Sequence, residues 1–210
     1  MSHLQLMRLV ERTLRRAQIP YALSEGFSPH VRLSLGTVLP VGVWGLREYF
    51  DLELAGKITP EEFVERVNLA APIGFRVKRA RFIDHRVPSL QVSVNAAAYC
   101  VALNNKVEEK EVGSVLEGLT GSDRLPVPRT GSRREEKDLR RGIHRLTLTK
   151  DGDQLAVLAL VSSGSKDNVR PDELVYCLET HGLAGVILDV YRLANYTREP
   201  DGRLYSPFDV

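Results

Sequence analysis

Residues 24–32 bring together several side chains that could recognise a ligand or do chemistry in this 210-residue chain. Phe27 offers an aromatic face, Arg32 a guanidinium and His30 an imidazole, while Ser28 and the proline that follows it favour a tight turn. Aromatic rings stack on bases and cations hold phosphates, so these four residues form a candidate nucleic-acid surface. Histidine titrates near neutral pH, which makes His30 the candidate acid or base. A histidine beside a proline is also common as an ordinary turn residue.

A second candidate is the basic stretch 124–150. It holds nine Lys or Arg against three Asp or Glu, a local charge of +6 in a chain whose formal net charge is +2. Such an excess favours an anionic partner, with Arg140 and Arg141 as the candidate contacts, although a solvated connector rich in arginine has the same composition. Its basic members are Arg124, Arg129, Arg133, Arg134, Lys137, Arg140, Arg141, Arg145 and Lys150.

Two smaller groups complete the set of candidates. Arg170 precedes a proline that opens a predicted helix, and a helix N-terminus attracts anions, but an ordinary helix cap looks the same. Asp51 and Glu53 alternate along a predicted strand and therefore share one face at a spacing of about 7 Å. Two carboxylates so placed could hold Mg²⁺ or pair with arginine, and the arginine pairing is the commoner arrangement.

The motifs that would indicate a familiar enzyme are absent from the sequence. There is no P-loop, dinucleotide-binding glycine motif, zinc-protease helix or nucleophile elbow. Cys100 and Cys177 are too few for a disulfide framework, a thiolate zinc site or an iron–sulfur cluster. We therefore expect no metal, no cofactor and no complete catalytic site. Buried, reduced cysteines and the lack of any apolar run near the roughly 20 residues that span a bilayer predict a cytoplasmic protein without membrane contact.

The elements that must position these candidates fall into two similar runs. The first is a helix opened by a Ser2–Gln5 capping box, strands over 31–39 and 46–54, a helix over 59–70 and a strand over 73–83. The second has strands over 92–103, 143–148, 155–161 and 186–193 and helices over 107–119 and 171–178, with an Asp151-Gly152 hairpin turn. The patterns predict an α+β protein of two tandem ferredoxin-like (βαββαβ) domains, 1–86 and 87–210, the first lacking its opening strand.

Three segments carry a likeness to a known family. Residues 2–8, the Gly-Phe-Ser-Pro-His run 26–30 and the Leu-Pro-Val-Gly run 39–42 resemble the opening of the radical SAM-linked protein family, a bacterial domain of unknown function, and 168–173 resembles its late Asn-Val-Arg-Pro-x-Glu segment. Family members usually carry an earlier strand, and often have Asp at Gln5, Asn at Ser28 and Pro at Val31. The resemblance implies association with a B12-binding radical SAM protein, and no known reaction.

These observations support three hypotheses for the function. The first is a non-enzymatic accessory module that presents RNA, either tRNA or rRNA, to a radical SAM partner. The second is a metal-independent RNA-processing endonuclease that uses His30, by analogy with CRISPR repeat-cleaving proteins that pair two ferredoxin-like domains. The third is an adapter that contacts only protein. The binding residues predicted for the first hypothesis are Phe27, Ser28, His30, Arg32, Arg140, Arg141 and Arg170.

Overall fold

The computed structural model describes residues 1–84, 86–129, 135–164 and 167–209. Contacts between residues divide the chain into two units. Unit 1 comprises Met1–Val41 and Tyr49–Gln91, and unit 2 comprises Gly42–Glu48 and Val92–Val210. The short segment 42–48 therefore belongs to the second unit, although the first unit surrounds it in the sequence.

Helices and mainly antiparallel strands are mixed along the chain, which confirms the α+β class. Helices α1 to α5 span His3–Arg16, Pro60–Ala70, Leu90–Ser93, Glu109–Gly121 and Pro171–Leu178. Strands β1 to β10 span Leu33–Leu35, Trp44–Gly45, Phe50–Leu52, Ala96–Leu103, Pro126–Pro128, Glu136–Asp138, Ile143–Asp151, Gln154–Ser162, Ile187–Arg198 and Leu204–Tyr205. Within the described ranges, no helix combines the length and the apolar composition needed to cross a membrane.

Unit 1 buries its apolar side chains between two helices and a small sheet. The inward face of α1 includes Val10 and Leu14, and that of α2 includes Val67. β1 and β3 pair antiparallel, with Leu33 opposite Leu52. The buried members of this core are Val10, Leu14, Ala17, Ile19, Val31, Leu35, Ile58, Phe63, Val67 and Val77.

The segment 73–83, which the sequence predicts to be a strand, joins no sheet in the described part of the chain. Asn68 of α2 gives the physical reason. Its Nδ2 donates to the Val77 carbonyl and its Oδ1 accepts from the Val77 N–H, both at 2.8 Å. The predicted alternation is nevertheless present, because Val77 is buried while Arg76 and Lys78 are exposed. At Val77, one carboxamide thus replaces the hydrogen bonds that a neighbouring strand would provide.

Unit 2 is built on a sheet in the order β10-β9-β4-β8-β7, whose neighbouring strands are antiparallel. β2 adds to β9 as a parallel neighbour, with Trp44 opposite Tyr191. The core of the unit joins the sheet to α4 and α5. Among its members are Val101, Leu103 and Val157 from the sheet, Val112, Leu116 and Leu119 from α4, and Leu174, Cys177 and Leu178 from α5.

The order of elements in unit 2 agrees with the prediction for the second half of the chain. Apart from β2, β10 and the separate two-stranded sheet of β5 and β6, it reads β4-α4-β7-β8-α5-β9. The predicted hairpin is confirmed, since Asp151 pairs with Gln154 and Gly152 has a φ of 62°, which glycine adopts without strain. The described residues of unit 1 contribute only β1 and β3 to a sheet of their own. The structure therefore shows the α+β class without showing two ferredoxin-like sheets, and the division into domains at 86 and 87 stays a prediction.

Candidate functional site

Helix α1 is fixed at its start by the predicted capping box. The Gln5 backbone N–H donates to Ser2 Oγ at 3.3 Å, and the Ser2 backbone N–H donates to Gln5 Oε1 at 2.8 Å. The helix ends at Arg16, and Gln18 just beyond it has a φ of +53°. Because Val10 and Leu14 face the core, the opposite side of the cylinder faces outward.

The outward side of α1 carries four exposed arginines, Arg8, Arg12, Arg15 and Arg16, here called the arginine face. Helix residues three or four apart are neighbours, with Cβ atoms about 5–6 Å apart, and like charges at that spacing destabilise the helix. Among the described residues, none of the four takes part in an ion pair. Arg15 and Arg16 lie in the last turn, where the helix dipole favours cations, but Arg8 and Arg12 do not. Positive charge is thus concentrated on the solvent-facing side of α1, where none of the four forms an ion pair with a described carboxylate.

A shallow depression runs along the arginine face. Its lining is Met1, Gln5, Arg8, Leu9, Arg12, Arg15, Arg16 and Pro72. Pro72 opens a turn in which its carbonyl accepts from the Phe75 N–H at 3.1 Å. The exposed Arg76 follows four residues after Pro72, and a chain extends at most about 3.6 Å per residue, so its Cα lies within roughly 14 Å of that of Pro72. A second basic segment of unit 1, residues 76–81, therefore follows closely in the sequence after a residue that lines the depression.

Residues 24–30 form a hairpin loop with a closed base. Leu23 and Val31 make an antiparallel bridge. The Ser24 N–H donates to the His30 carbonyl at 2.8 Å, and the His30 N–H donates to Ser24 Oγ at 3.0 Å. Phe27 is 110% exposed, so its ring is as accessible as in an extended chain. The loop therefore has a hydrogen-bonded base and presents an aromatic ring to solvent.

The other predicted residues of this loop differ in their availability. Ser28 and His30 are exposed, and within the described ranges the His30 ring has no hydrogen bond or ion pair. Arg32 Nη1 donates to Glu53 Oε2 at 2.8 Å, and this bond raises the pKa of the guanidinium. Arg32 thus carries a carboxylate partner. Asp51 is half-buried and desolvation raises its pKa; the described residues hold no group of three or more His, Cys, Asp or Glu suited to a metal.

The predicted arginines of the second half lie in three different settings. Arg140 donates to two backbone carbonyls, at 3.2 and 3.3 Å, and so braces the end of α4. Arg141 is exposed. Arg170 Nε donates to Asp172 Oδ1 at 3.0 Å in the first turn of α5. The structure therefore does not present these three arginines as a single set of solvent-facing cations.

Several charges of the basic stretch 124–150 are balanced inside unit 2. Ion pairs join Arg124 to Asp138 at 3.5 Å, Arg129 to Glu135 at 3.0 Å and Lys137 to Glu173 at 2.7 Å. Arg133 and Arg134 lie outside the described residues. By sequence, unit 1 has 12 Lys and Arg against 8 Asp and Glu, whereas unit 2 has 17 against 19. The excess positive charge of the protein therefore belongs to unit 1.

A polar cluster around the buried Arg192 of unit 2 has no signal in the sequence. Arg192 is 1% exposed and its Nε donates to Glu48 Oε1 at 2.8 Å, while Asn195 Nδ2 lies 3.4 Å from Glu48 Oε2. Trp44 stacks on Tyr191 with ring centroids 4.3 Å apart. Glu48 and Arg192 are 144 residues apart in the chain, too far for any local pattern to connect them. The cluster fixes segment 42–48 to β9 and leaves the Arg192 charge unavailable to a ligand.

The comparisons with known proteins address the fold. The chain is similar to a chain in a structure entitled "Crystal Structure of a Cbf5-Nop10-Gar1 Complex", with a TM-score of 0.51 and 10% sequence identity. The likeness covers 96% of this chain and 47% of that one, so this chain spans about half the length of the protein it matches. No curated protein matches the sequence. At such low identity the likeness describes the fold alone.

The family is shown by a match that covers most of the chain. The model described as "Uncharacterized protein conserved in bacteria (DUF2344)" matches residues 1–171. The matched range includes α1 with its arginine face, the hairpin loop and the polar residues of segment 42–48. The chain belongs to this bacterial family.

Proposed function

We propose that this protein is an accessory RNA-binding module in which unit 1 holds the phosphate backbone of an RNA. The observation that carries the proposal is the arginine face: four exposed cations that, within the described residues, lack carboxylate partners. Lysine and arginine contacts to phosphates supply most of the sequence-independent affinity for nucleic acids. A helix that presents such cations on its solvent-facing side is well suited to that task.

The spacing of the arginine face favours a polyanion over a small anion. Arg8 and Arg16 are eight residues apart, which corresponds to about 12 Å along a helix axis. A single phosphate is bound by groups that converge on it, whereas charges distributed over this length suit successive phosphates of one strand. The positive charge is also local to unit 1, which supports a defined contact in place of indiscriminate binding.

The accessory role and the partner rest on the family resemblance of the first half of the sequence. We infer a radical SAM protein as the partner and tRNA or rRNA as the bound RNA. For unit 2 we infer a ferredoxin-like arrangement, since its central strands lie in the order β9-β4-β8-β7 and its elements read β-α-β-β-α-β. Unit 2 then serves as the scaffold, and unit 1 carries the RNA contact.

The test compares two charge-neutralising double variants of equal size. Arg12→Gln/Arg16→Gln removes two neighbouring members of the arginine face, and Arg141→Gln/Arg145→Gln removes two exposed arginines of unit 2. Binding of fluorescent tRNA and of an rRNA fragment is measured by anisotropy at low salt. At about 1 kcal/mol per contact, the α1 variant should bind about 30-fold more weakly than the wild type, and the control within about twofold.

Arginine and glutamine have similar helix propensities, so circular dichroism should show an unchanged helix content in both variants. A wild-type protein that binds neither RNA at low salt would overturn the proposal. Equal weakening by the two variants would place the contact outside the arginine face.

A further inference from the structure

Phe27 is the most exposed of the large hydrophobic side chains in the described chain, at 110% of its reference accessibility. A phenylalanine ring usually buries about 150–250 Å² and dominates cores and interfaces. The ring has no stacking or cation contact among the described residues. Nothing in the packing of unit 1 therefore accounts for an aromatic side chain at this position.

The loop that carries Phe27 is closed at its base, and a glycine and a proline restrict its backbone on either side of the ring. The bridge between Leu23 and Val31 and the two hydrogen bonds between Ser24 and His30 close its base. Gly26, with a φ of 118°, makes the turn just before the ring, and Pro29 restricts the return strand. A side chain on a preorganised loop loses less conformational freedom on binding than one on a mobile segment. The ring is thus a ready contact for a flat ligand.

We propose that Phe27 stacks on an unpaired base of the bound RNA, so that the protein favours RNA with single-stranded or loop nucleotides over continuous duplex. The inference rests on the proposed function, because the net charge of unit 1 is what makes a nucleic acid the occupant. Bases within a helix are already stacked on one another, and only unpaired bases can offer a face to an aromatic side chain. Arg32, which follows the hairpin loop, forms an ion pair with Glu53. In this proposal Phe27 therefore makes the stacking contact, and the arginine face makes the contacts to phosphates.

The experiment uses two labelled RNAs of equal length, a stem-loop and a blunt duplex, with the wild-type protein and three variants. Phe27→Ala removes the ring, Phe27→Trp keeps an aromatic ring, and Phe27→Leu keeps an apolar side chain without one. Stacking contributes about 1–3 kcal/mol per base, so Phe27→Ala should weaken stem-loop binding roughly 5- to 150-fold and leave duplex binding unchanged. Phe27→Trp should bind the stem-loop like the wild type, and Phe27→Leu should bind like Phe27→Ala.

The outcomes separate this inference from the proposed function. Stem-loop binding that is unaffected by Phe27→Ala, with binding still lost in Arg12→Gln/Arg16→Gln, would overturn the stacking inference alone. Full binding by Phe27→Leu would show an apolar contact that needs no aromatic ring, and would also overturn it. Absence of binding to either RNA by the wild type would overturn the proposed function as well. Because Phe27 is exposed, the melting temperatures of all three variants should match that of the wild type.

Discussion

Arg192 is a charged side chain with 1% exposure, and the fold can bury this charge only because a carboxylate pairs with it. Its partner Glu48 lies on segment 42–48, and Tyr99 and Asn195 surround the same charges. A buried ion pair contributes little compared with apolar packing, but the removal of one partner leaves an uncompensated charge in the interior. The exposed pair of Arg32 and Glu53 is the natural comparison, because water can solvate either charge when the other is removed.

Glu48→Ala should therefore destabilise unit 2 by about 3–5 kcal/mol, whereas Glu53→Ala should leave the urea midpoint nearly unchanged. Urea unfolding of both variants, monitored by circular dichroism, measures the difference in the free energy of unfolding. Trp44, the single tryptophan, adds a fluorescence signal for unit 2 because it stacks on Tyr191. Equal urea midpoints for the two variants would contradict the account of the buried pair.

His144 makes the stability of the folded protein depend on pH. Its Nε2 lies 3.0 Å from Ser162 Oγ, and burial, together with the charge of Arg198, lowers the pKa of the imidazole, which Asp167 partly opposes. The unfolded chain therefore takes up the proton at a higher pH than the folded protein. Between the ordinary histidine value and the lowered one, stability must decrease as pH falls.

Urea midpoints measured at about pH 7.5 and about pH 5 should fall more for the wild type than for His144→Gln. Glutamine keeps a polar group near Ser162 but takes up no proton, so it removes the titration and leaves other acid effects in place. The same decrease in both proteins would assign the pH dependence to other groups.

At the scale of elements, the sequence predicts the features that depend on neighbouring residues and does not predict those that depend on contacts far along the chain. The Ser2–Gln5 capping box, the Thr59-Pro60 start of α2 and the Asp151-Gly152 hairpin are local, and all three are present in the structure. Segment 73–83 shows an alternation typical of a strand, but a hydrogen-bonding partner on another element decides whether such a segment joins a sheet. The parallel pairing of Trp44 with Tyr191 depends on a strand far along the chain, so no window of sequence indicates it.

The same division applies to the candidate site. The hairpin loop is recognisable from its residue types, and the periodicity of α1 places its arginines away from the apolar stripe. The count of charges along the sequence favours 124–150 as a binding segment. The sequence does not show which of its arginines and lysines contact carboxylates or carbonyls and are therefore less available to a ligand. Arg140 and Lys137 are examples, since both are engaged by other groups of unit 2.

Asn68→Ala tests the role assigned to the carboxamide that holds Val77. The loss of two hydrogen bonds to a buried backbone should destabilise unit 1 by about 1–3 kcal/mol and speed hydrogen exchange at the Val77 amide. Leu69→Ala is the matched control, because the adjacent leucine on α2 is 82% exposed and its truncation should change stability by less than about 0.5 kcal/mol. If exchange at Val77 were unchanged in Asn68→Ala, another contact would have to hold the segment.

At the scale of the whole molecule, the two units differ in the charge that they offer to a partner. Unit 1 has a net charge of +4 and unit 2 a net charge of −2, although the basic stretch 124–150 lies in unit 2. The overall charge of +2 hides this contrast. A polyanion should therefore be drawn to one part of the molecule, and the number of phosphates it contacts there should be countable.

The salt dependence of RNA binding counts those phosphates and tests the central claim most directly. Each phosphate contact contributes about 0.7–0.9 to the slope of log Kobs against log salt concentration, so four contacts predict a slope of about −3 for the wild type. Arg12→Gln/Arg16→Gln should reduce the magnitude of that slope by about 1.5. A slope near zero for the wild type, or one that the double variant leaves unchanged, would contradict the assignment of RNA binding to the arginine face of α1.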